Sequence, residues 1–159
     1  MDREPAVHDI EDLAAALAER LDGRTLACAE SCTAGRIAAT LAGSGGAAGW
    51  LRGGLVAYQT AMKRALLGVA APSVFSEQAA IEMADGAARL LDADVVVATT
   101  GVLGDTPEEG VAPGTVMVAT SVDGDIRVGT CHVDGDTPDE RCAAAVAAAL
   151  RALADHLTQ

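Results

Sequence analysis

The chain has 159 residues, half of them hydrophobic, which suffices for one compact core but not for two ordinary domains, so residues 1–159 are expected to form a single domain. Its 23 acidic and 11 basic residues give a formal net charge of −12, which argues against nucleic acids and anionic membranes as partners, because both bind through Lys and Arg. No apolar run reaches the roughly 18–20 residues of a membrane span, and residues 1–5 do not resemble a signal peptide, so we expect a cytoplasmic protein.

Apolar periodicity, interrupted by glycine and proline, predicts ten helices and strands along the chain. In chain order they are a helix over 10–21, a strand over 25–29, a helix after the N-cap Thr33 through Ala42, a strand over 54–58, helices over 60–67 and 76–91, strands over 94–100, 115–122 and 126–133, and a helix over 138–157. Loops are expected over 43–49 and 103–113, and the last two strands should form an antiparallel hairpin. This order is typical of one α/β domain with a mixed sheet.

Three segments follow predicted strands at their carboxyl ends, where ligands bind in open α/β sheets: residues 30–33, 58–63 and 99–101. Ser31 lies between a strand and a helix, so that nearby backbone N–H groups can stabilise an oxyanion or bind phosphate. A serine at such a position is more often a simple helix cap. From the residues alone, both roles of Ser31 stay open.

Lys63 is the only lysine of the chain and Tyr58 the only tyrosine, and they lie five residues apart across a strand-to-helix turn. Arginine cannot replace a lysine that must lose its proton, although chance survival of one surface lysine is the alternative. A desolvated lysine beside Ser31 can act as its general base, whereas a carboxylate at Glu30 would keep Lys63 protonated. The chain has no Gly-x-Gly-x-x-Gly pattern, which disfavours a nicotinamide-dependent hydride transfer.

The other reactive residue types are predicted to be structural or solvated. Cys32 is interpreted as a small buried thiol, because no histidine close in sequence would activate it. The spacing of cysteine, histidine and acidic residues fits no ligand set, so we predict neither a metal nor a cofactor. His8 and His156 fall in polar terminal segments and are expected at the surface, and His132 is expected to be structural. The acidic residues of the 103–113 loop are expected to form a solvated face: Asp105, Glu108 and Glu109.

Two segments resemble a known family. Residues 29–35 read Ala-Glu-Ser-Cys-Thr-Ala-Gly, which resembles the Ala-Glu-Ser-Cys-Thr-Gly-Gly segment of the CinA C-terminal domain, the nicotinamide-nucleotide amidohydrolase family. Residues 53–69, with Tyr58 and Lys63, resemble its Gly-Phe-Val-Thr-Tyr-Ser-Asn-x-x-Lys-x-x-x-Leu-Gly-Val block, and shorter matches at 100–104 and 114–116 follow in the family's order. The resemblance implies a three-layer α/β/α fold with a five-stranded mixed sheet. It also implies hydrolysis of nicotinamide mononucleotide to nicotinic acid mononucleotide and ammonia.

The resemblance further implies roles for single residues. Ser31 would be the nucleophile, Lys63 its base, and Tyr58 would orient the pair, while backbone N–H groups at the helix start near Thr33 would hold the oxyanion. Thr100 and Gly101 would lie against the nucleotide. The full set of residues expected to bind the substrate is Glu30, Cys32, Thr33, Thr100, Gly101 and Gly104, with Arg36 and Arg141 as candidates for its phosphate.

The chain departs from the family pattern in the loops that could contact a nucleotide. A lysine expected within 111–113 and an arginine expected within 135–137 are missing, and the loop over 103–107 has a different composition. An alternative function is therefore a non-catalytic module that binds a mononucleotide or a protein partner, and a third is a Ser/Lys amidase for another small amide. An exposed edge strand favours a homodimer.

Overall fold

The computed structural model describes the backbone of residues 7–159 and the side chains from residue 9 onward. Residues 1–5, on which the prediction of no signal peptide depends, lie outside the described residues, as does the side chain of His8. Among the described helices, none is both long and apolar enough to cross a membrane.

Over residues 7–159 the chain forms six helices and five strands. They are α1 (Val7–Arg20), β1 (Leu26–Glu30), α2 (Arg36–Ala42), α3 (Ala47–Trp50), β2 (Leu51–Val56), α4 (Thr60–Leu67), α5 (Glu77–Leu91), β3 (Val95–Gly101), β4 (Thr115–Val122), β5 (Asp125–His132) and α6 (Pro138–Leu157). The ten predicted elements are all present, with ends displaced by up to three residues. The loop expected over 43–49 was wrong in part, because the short helix α3 begins inside it and β2 follows at once.

The five strands form one mixed sheet in the order β2-β1-β3-β4-β5. The strand β1 pairs in parallel with both β2 and β3, whereas β3, β4 and β5 pair antiparallel. Glu30, the last residue of β1, pairs with Val56 on one side and Thr99 on the other. The carboxyl ends of β1, β2 and β3 therefore meet at one edge of the sheet.

Helices cover both faces of this sheet, which confirms the predicted three-layer α/β/α fold. Val95 and Val97 of β3 pack with α1, α2 and α6 on one face. Their neighbours Val96 and Ala98 pack with α4 and α5 on the other face. The alternation follows from the two-residue period of a strand, and it explains why β3 is buried along its whole length.

The turn between β1 and α2 differs from the expectation. Ala34 and Gly35 both have left-handed backbones, with φ of 50° and 97°, so the helix cannot include them and begins at Arg36. The predicted N-cap role of Thr33 was therefore wrong, since Gly35 is the N-cap. The Thr33 hydroxyl instead donates a hydrogen bond of 2.6 Å to the Glu30 carboxylate.

The surface position expected for His156 was wrong as well. This side chain is buried on the last turns of α6, where its Nδ1 lies 2.8 Å from the Thr120 hydroxyl and its Nε2 lies 3.0 Å from the Asp125 carboxylate. The helix face that buries Leu153 also carries His156, three residues later. A polar side chain on a buried face needs such partners.

The close approach of α4 and α5 depends on Gly86. A Cβ at this position would lie 2.3 Å from the Leu67 carbonyl oxygen, so we expect Gly86→Ala to lower the free energy of unfolding by about 1–3 kcal/mol in urea. Gly49→Ala is the control, because its Cβ would meet nothing within 4 Å, and it should leave stability unchanged or raised. Equal stabilities of the two variants would contradict the contact.

The left-handed backbone of Ala34 yields a second prediction. Alanine is strained in this conformation and glycine is not, so we expect Ala34→Gly, which restores the family's residue, to raise the free energy of unfolding by about 1 kcal/mol. Ala39→Gly, at an exposed position inside α2, should lower it by about 0.5–1 kcal/mol. Urea unfolding measures both, and a destabilised Ala34→Gly protein would show that residue 34 is not left-handed.

Candidate active site

A pocket of about 460 Å³ opens where the parallel strands end. Four segments form its walls: the β1–α2 turn, the start of α4 with the turn before it, the segment ahead of α5, and the loop after β3. The lining residues are Ser31, Cys32, Tyr58, Gln59, Thr60, Lys63, Val74, Phe75, Gly101, Leu103, Gly104, Thr106 and Glu108.

The structure brings together about half of the residues expected at the site. Those that line the pocket are Ser31, Cys32, Tyr58, Lys63, Gly101 and Gly104. Those buried behind its walls are Glu30, Thr33 and Thr100. The two arginines expected at a phosphate, Arg36 and Arg141, are not among the lining residues.

Ser31 is the first residue after β1, and its backbone is held on both sides. Its N–H donates to the Thr99 carbonyl at 3.0 Å, and its own carbonyl accepts from the Ala34 N–H at 3.1 Å. Its hydroxyl has no hydrogen-bond partner within the part of the chain that the structure describes. The side chain is thus placed by a rigid backbone while its oxygen is available to the pocket.

Lys63 is a buried lysine with one backbone partner. Its side chain is 1% exposed, and Nζ donates a hydrogen bond of 2.7 Å to the Tyr58 carbonyl oxygen. No carboxylate of the described residues is within ion-pair distance of the ammonium. Burial lowers the Lys63 pKa, and electrostatic interaction with Cys32, when it is ionised, and with the Glu108 carboxylate opposes this effect.

The contact with Lys63 is made by the backbone of Tyr58 and not by its phenol. The Tyr58 side chain is 66% exposed, so its ring stands at the mouth of the pocket. The hydrogen bond to Lys63 therefore depends on a carbonyl that any residue at this position would carry, and the expected role of the Tyr58 side chain stays a prediction.

Glu30 has a different task from the one expected. Its carboxylate accepts hydrogen bonds from the Thr33 hydroxyl at 2.6 Å and from the N–H groups of Ile37 and Ala38 at 2.8 and 3.0 Å. These amides belong to the first turn of α2, so Glu30 caps the helix from the preceding strand. Glu30 forms no ion pair with Lys63 and is not among the groups that shift the Lys63 pKa, so its carboxylate does not act on the lysine as the sequence-based alternative supposed.

The cap also changes where an oxyanion could be held. The first-turn amides of α2 are taken by Glu30, so the helix start expected near Thr33 is not open to a ligand. Among the described residues, the Cys32 N–H has no backbone acceptor and belongs to a residue that lines the pocket, whereas Thr33 is fully buried. The Cys32 N–H is therefore a candidate donor beside Ser31.

Thr100 supports the pocket wall from behind. Its hydroxyl donates a hydrogen bond of 2.7 Å to the Val74 carbonyl oxygen. This bond fixes the segment of Val74 and Phe75 against the end of β3. Thr100 is fully buried, so it does not lie against a ligand as expected. Gly101, the next residue, does line the pocket.

Both candidate arginines are held by other partners. Arg36 forms a 2.8 Å ion pair with Asp139 outside the pocket. Arg141 donates to the Leu103 carbonyl at 2.9 Å and to the Asp105 carboxylate, and thereby fixes the loop after β3. The structure does not support the expected contact of these guanidinium groups with a substrate phosphate.

Cys32 adjoins Ser31 but is a poor nucleophile. Burial, and to a smaller extent Cys142, raises the pKa of the Cys32 thiol to about 12. The thiolate is the reactive form of cysteine, and it is scarce at neutral pH when the pKa is this high. The predicted structural role of Cys32 agrees with this, and Ser31 is the better candidate.

Two lining residues were missed or misread from the sequence. Phe75 was not considered, although two of the three aromatic residues of the chain, Tyr58 and Phe75, line this one pocket. The scarcity of aromatic residues in the chain could therefore have indicated Phe75 as a candidate site residue, just as the scarcity of lysine indicated Lys63. Glu108 is exposed as expected, but it lines the pocket instead of forming a merely solvated face.

Relatives carry the same domain. A family model described as the CinA C-terminal domain matches residues 10–157. A CinA-like protein of Mycolicibacterium gilvum is 42% identical over 121 residues, which are 71% of this chain and 28% of that protein. One of Mycolicibacterium vanbaalenii is 43% identical over 114 residues, 67% of this chain and 26% of that protein. The chain spans about a quarter of the length of these curated relatives.

Solved structures extend the likeness to the whole fold. The competence damage-inducible protein A (ComA) from Klebsiella pneumoniae superposes with a TM-score of 0.90 at 32% identity, over 94% of this chain and 98% of that chain. The competence/damage inducible protein CihA from Agrobacterium tumefaciens gives a TM-score of 0.85 at 30% identity, over 100% of both chains. The chain has a five-stranded mixed sheet with a pocket at its strand ends, and the family model matches residues 10–157. On this evidence, the chain belongs to the CinA C-terminal domain family.

Proposed function

We propose that this protein hydrolyses the carboxamide of nicotinamide mononucleotide to nicotinic acid mononucleotide and ammonia. The observation that carries the proposal is one pocket that contains both Ser31, with a free hydroxyl, and Lys63, a buried lysine of lowered pKa. An uncharged carboxamide needs an activated nucleophile and an oxyanion site, and this pair with the β1–α2 turn offers both.

In the first step, Ser31 Oγ attacks the carboxamide carbon while neutral Lys63 accepts the hydroxyl proton through one water, since the two side chains are not hydrogen-bonded to each other. A C–O bond forms, and the carbonyl π electrons move to the oxygen of a tetrahedral intermediate. The N–H group of Cys32 is the donor proposed for that oxyanion. Lys63 then returns the proton to the amide nitrogen, the C–N bond breaks, and ammonia leaves an ester on Ser31.

In the second step, water hydrolyses the ester by the same route. Lys63 takes a proton from the water as it attacks the carbonyl carbon, and the Ser31 oxygen leaves and receives that proton. The product is the pyridine carboxylic acid, which ionises at neutral pH. The Tyr58 carbonyl keeps Nζ in place throughout, because it accepts a hydrogen bond from either protonation state of Lys63.

The altered 103–113 loop favours a second candidate function, a domain that binds a small molecule without hydrolysing it. The loop carries Glu108 into the pocket and is held by Arg141, and it lacks the family's lysine. A Ser/Lys amidase for another small amide would use the same two residues. The homodimer expected from the sequence stays a prediction for either function.

We predict that Ser31→Ala and Lys63→Met each reduce ammonia release from nicotinamide mononucleotide by at least about 100-fold, because each removes one partner of the proton transfer. Ser44→Ala and Arg64→Met are matched controls, since each makes the same type of change outside the pocket lining, and both should retain most activity. Circular dichroism establishes that all four variants are folded. Wild-type protein that binds the nucleotide but releases no ammonia would favour the non-catalytic function.

The pH dependence of kcat/KM should report Lys63. The base must be neutral, so activity is lost as pH falls through the Lys63 pKa and reaches a plateau above it. Burial places that midpoint below the ordinary lysine value of 10.5. Glu108 raises the Lys63 pKa, so Glu108→Gln should move the midpoint to lower pH. A midpoint at or above 10.5 would exclude Lys63 as the base.

A further inference from the structure

We infer that the outer edge of β2 is an interface for a second copy of this chain, together with the α4 flank, which is the side of α4 that carries Met62 and Leu66. In this interface the two β2 strands pair antiparallel, so that one sheet continues through both copies. Three observations carry the inference: an unprotected sheet edge, an apolar helix flank beside it, and the distribution of charge along the chain. None of them depends on the proposed amidase function.

The two edge strands of the sheet, β2 and β5, differ in how they are protected. Strand β5 exposes Asp125 and Arg127, and charged side chains on an edge discourage pairing with another chain. Strand β2 reads Leu-Arg-Gly-Gly-Leu-Val, with neither proline nor lysine. Its one charged side chain, Arg52, donates to the carbonyl and carboxylate of Asp92 at 3.2 Å. The outer edge of β2 therefore offers backbone donors and acceptors to a strand of another molecule.

The outer face of α4 is unusual for a surface helix. Of its eight residues, only Lys63 and Leu67 are buried. The apolar exposed residues share an arc of about 140° around the helix, and they are Ala61, Met62, Ala65 and Leu66. Met62 is 42% and Leu66 49% exposed. A solvated helix face normally carries charged side chains, as the exposed residues of α1 do, so this face of α4 suits contact with protein.

The α4 flank lies on the side of the helix next to β2. Arg64 marks the opposite side, because it interacts electrostatically with Glu82 of α5, and the flank lies about 160° around the helix from it. The helix α5 packs mainly on β3 and β4, in the inner part of the sheet. Leu67 of α4 belongs to the same apolar cluster as Leu55 of β2. The flank and the unprotected edge therefore form one side of the molecule.

The distribution of charge favours a second copy as the partner on this side. Residues 31–76, which include α2, α3, β2 and α4, contain no Asp or Glu, although the chain has 23 of them. Two copies with a net charge of −12 repel each other. The repulsion is smallest when these segments face each other, because every acidic residue lies outside them.

A partner with an acidic surface fits less well, since it would need available cations. The basic residues of 31–76 have partners within their own chain: Arg36 pairs with Asp139 and Arg52 with Asp92, while Lys63 donates to the Tyr58 carbonyl and Arg64 to the Val69 carbonyl. An uncharged surface suits an equally uncharged one. A two-fold axis perpendicular to the sheet supplies it, because β2 then pairs antiparallel with itself and both α4 helices stay on the same face, where the flanks meet.

Sedimentation equilibrium of the full chain tests the association. We expect a dimer with a dissociation constant in the micromolar range or below, and added salt should strengthen it by screening the repulsion between the copies. Leu66→Glu should weaken the dimer at least about 100-fold, because like charges then face each other across the axis. Ala15→Glu adds the same charge at an exposed position of α1, on the other face of the sheet, and should change the dissociation constant less than about threefold.

Hydrogen exchange locates the contact in the wild-type protein, without a substitution that could impair folding. Residues 51–56 should become more protected as the protein concentration rises through the dissociation constant, because the partner strand gives their outer amides acceptors. Residues 125–132 form the other edge strand and are the internal control, whose exchange should not depend on concentration.

A protein that is monomeric at every concentration would overturn the inference, and so would concentration-dependent protection of β5 in place of β2. Equal effects of Leu66→Glu and Ala15→Glu, or a dimer that salt weakens, would overturn it as well, since both would show a contact elsewhere or one made of ion pairs. These measurements do not involve ammonia release, so a failure of the proposed function leaves their outcome unaffected.

Discussion

The buried carboxylate of Glu30 is the interaction on which the arrangement of the site depends. A buried anion is costly unless hydrogen bonds replace its water, and here Thr33, Ile37 and Ala38 supply them. A tight turn with two left-handed residues brings the first turn of α2 to the end of β1. Ser31 and Cys32 of that turn line the pocket, so a structural requirement of the core also determines which groups face the cavity.

The same cap has an electrostatic consequence for the whole pocket. A helix start normally offers partial positive charge to a ligand, but α2 directs it inward to Glu30. The charged side chains that line the pocket are Lys63 and Glu108, in a protein whose formal net charge is −12. The helix start that lines the pocket is that of α4, at Gln59 and Thr60, which has no side-chain cap.

The fold and the centre of the site could be predicted because their signals are local. Strand β3 is a run of valines, and Ser31, Tyr58 and Lys63 lie in segments that predict strand ends and turns. The error at Thr33 is local, because Glu30, three residues earlier, binds the first-turn amides of α2. Other errors came from partners distant in sequence, and nothing near His156 indicates Thr120 and Asp125. The occupied arginines were equally hidden, since ion pairing across the fold leaves no pattern in the chain.

Lys63 donates its hydrogen bond to the backbone carbonyl of Tyr58 and not to the Tyr58 side chain. The backbone holds Nζ of Lys63, and every amino acid provides that carbonyl. The ring of Tyr58 can therefore be exchanged without loss of this contact. A substitution at position 58 changes the surface of the pocket while the buried lysine keeps its partner, so the two properties can vary independently in such a domain.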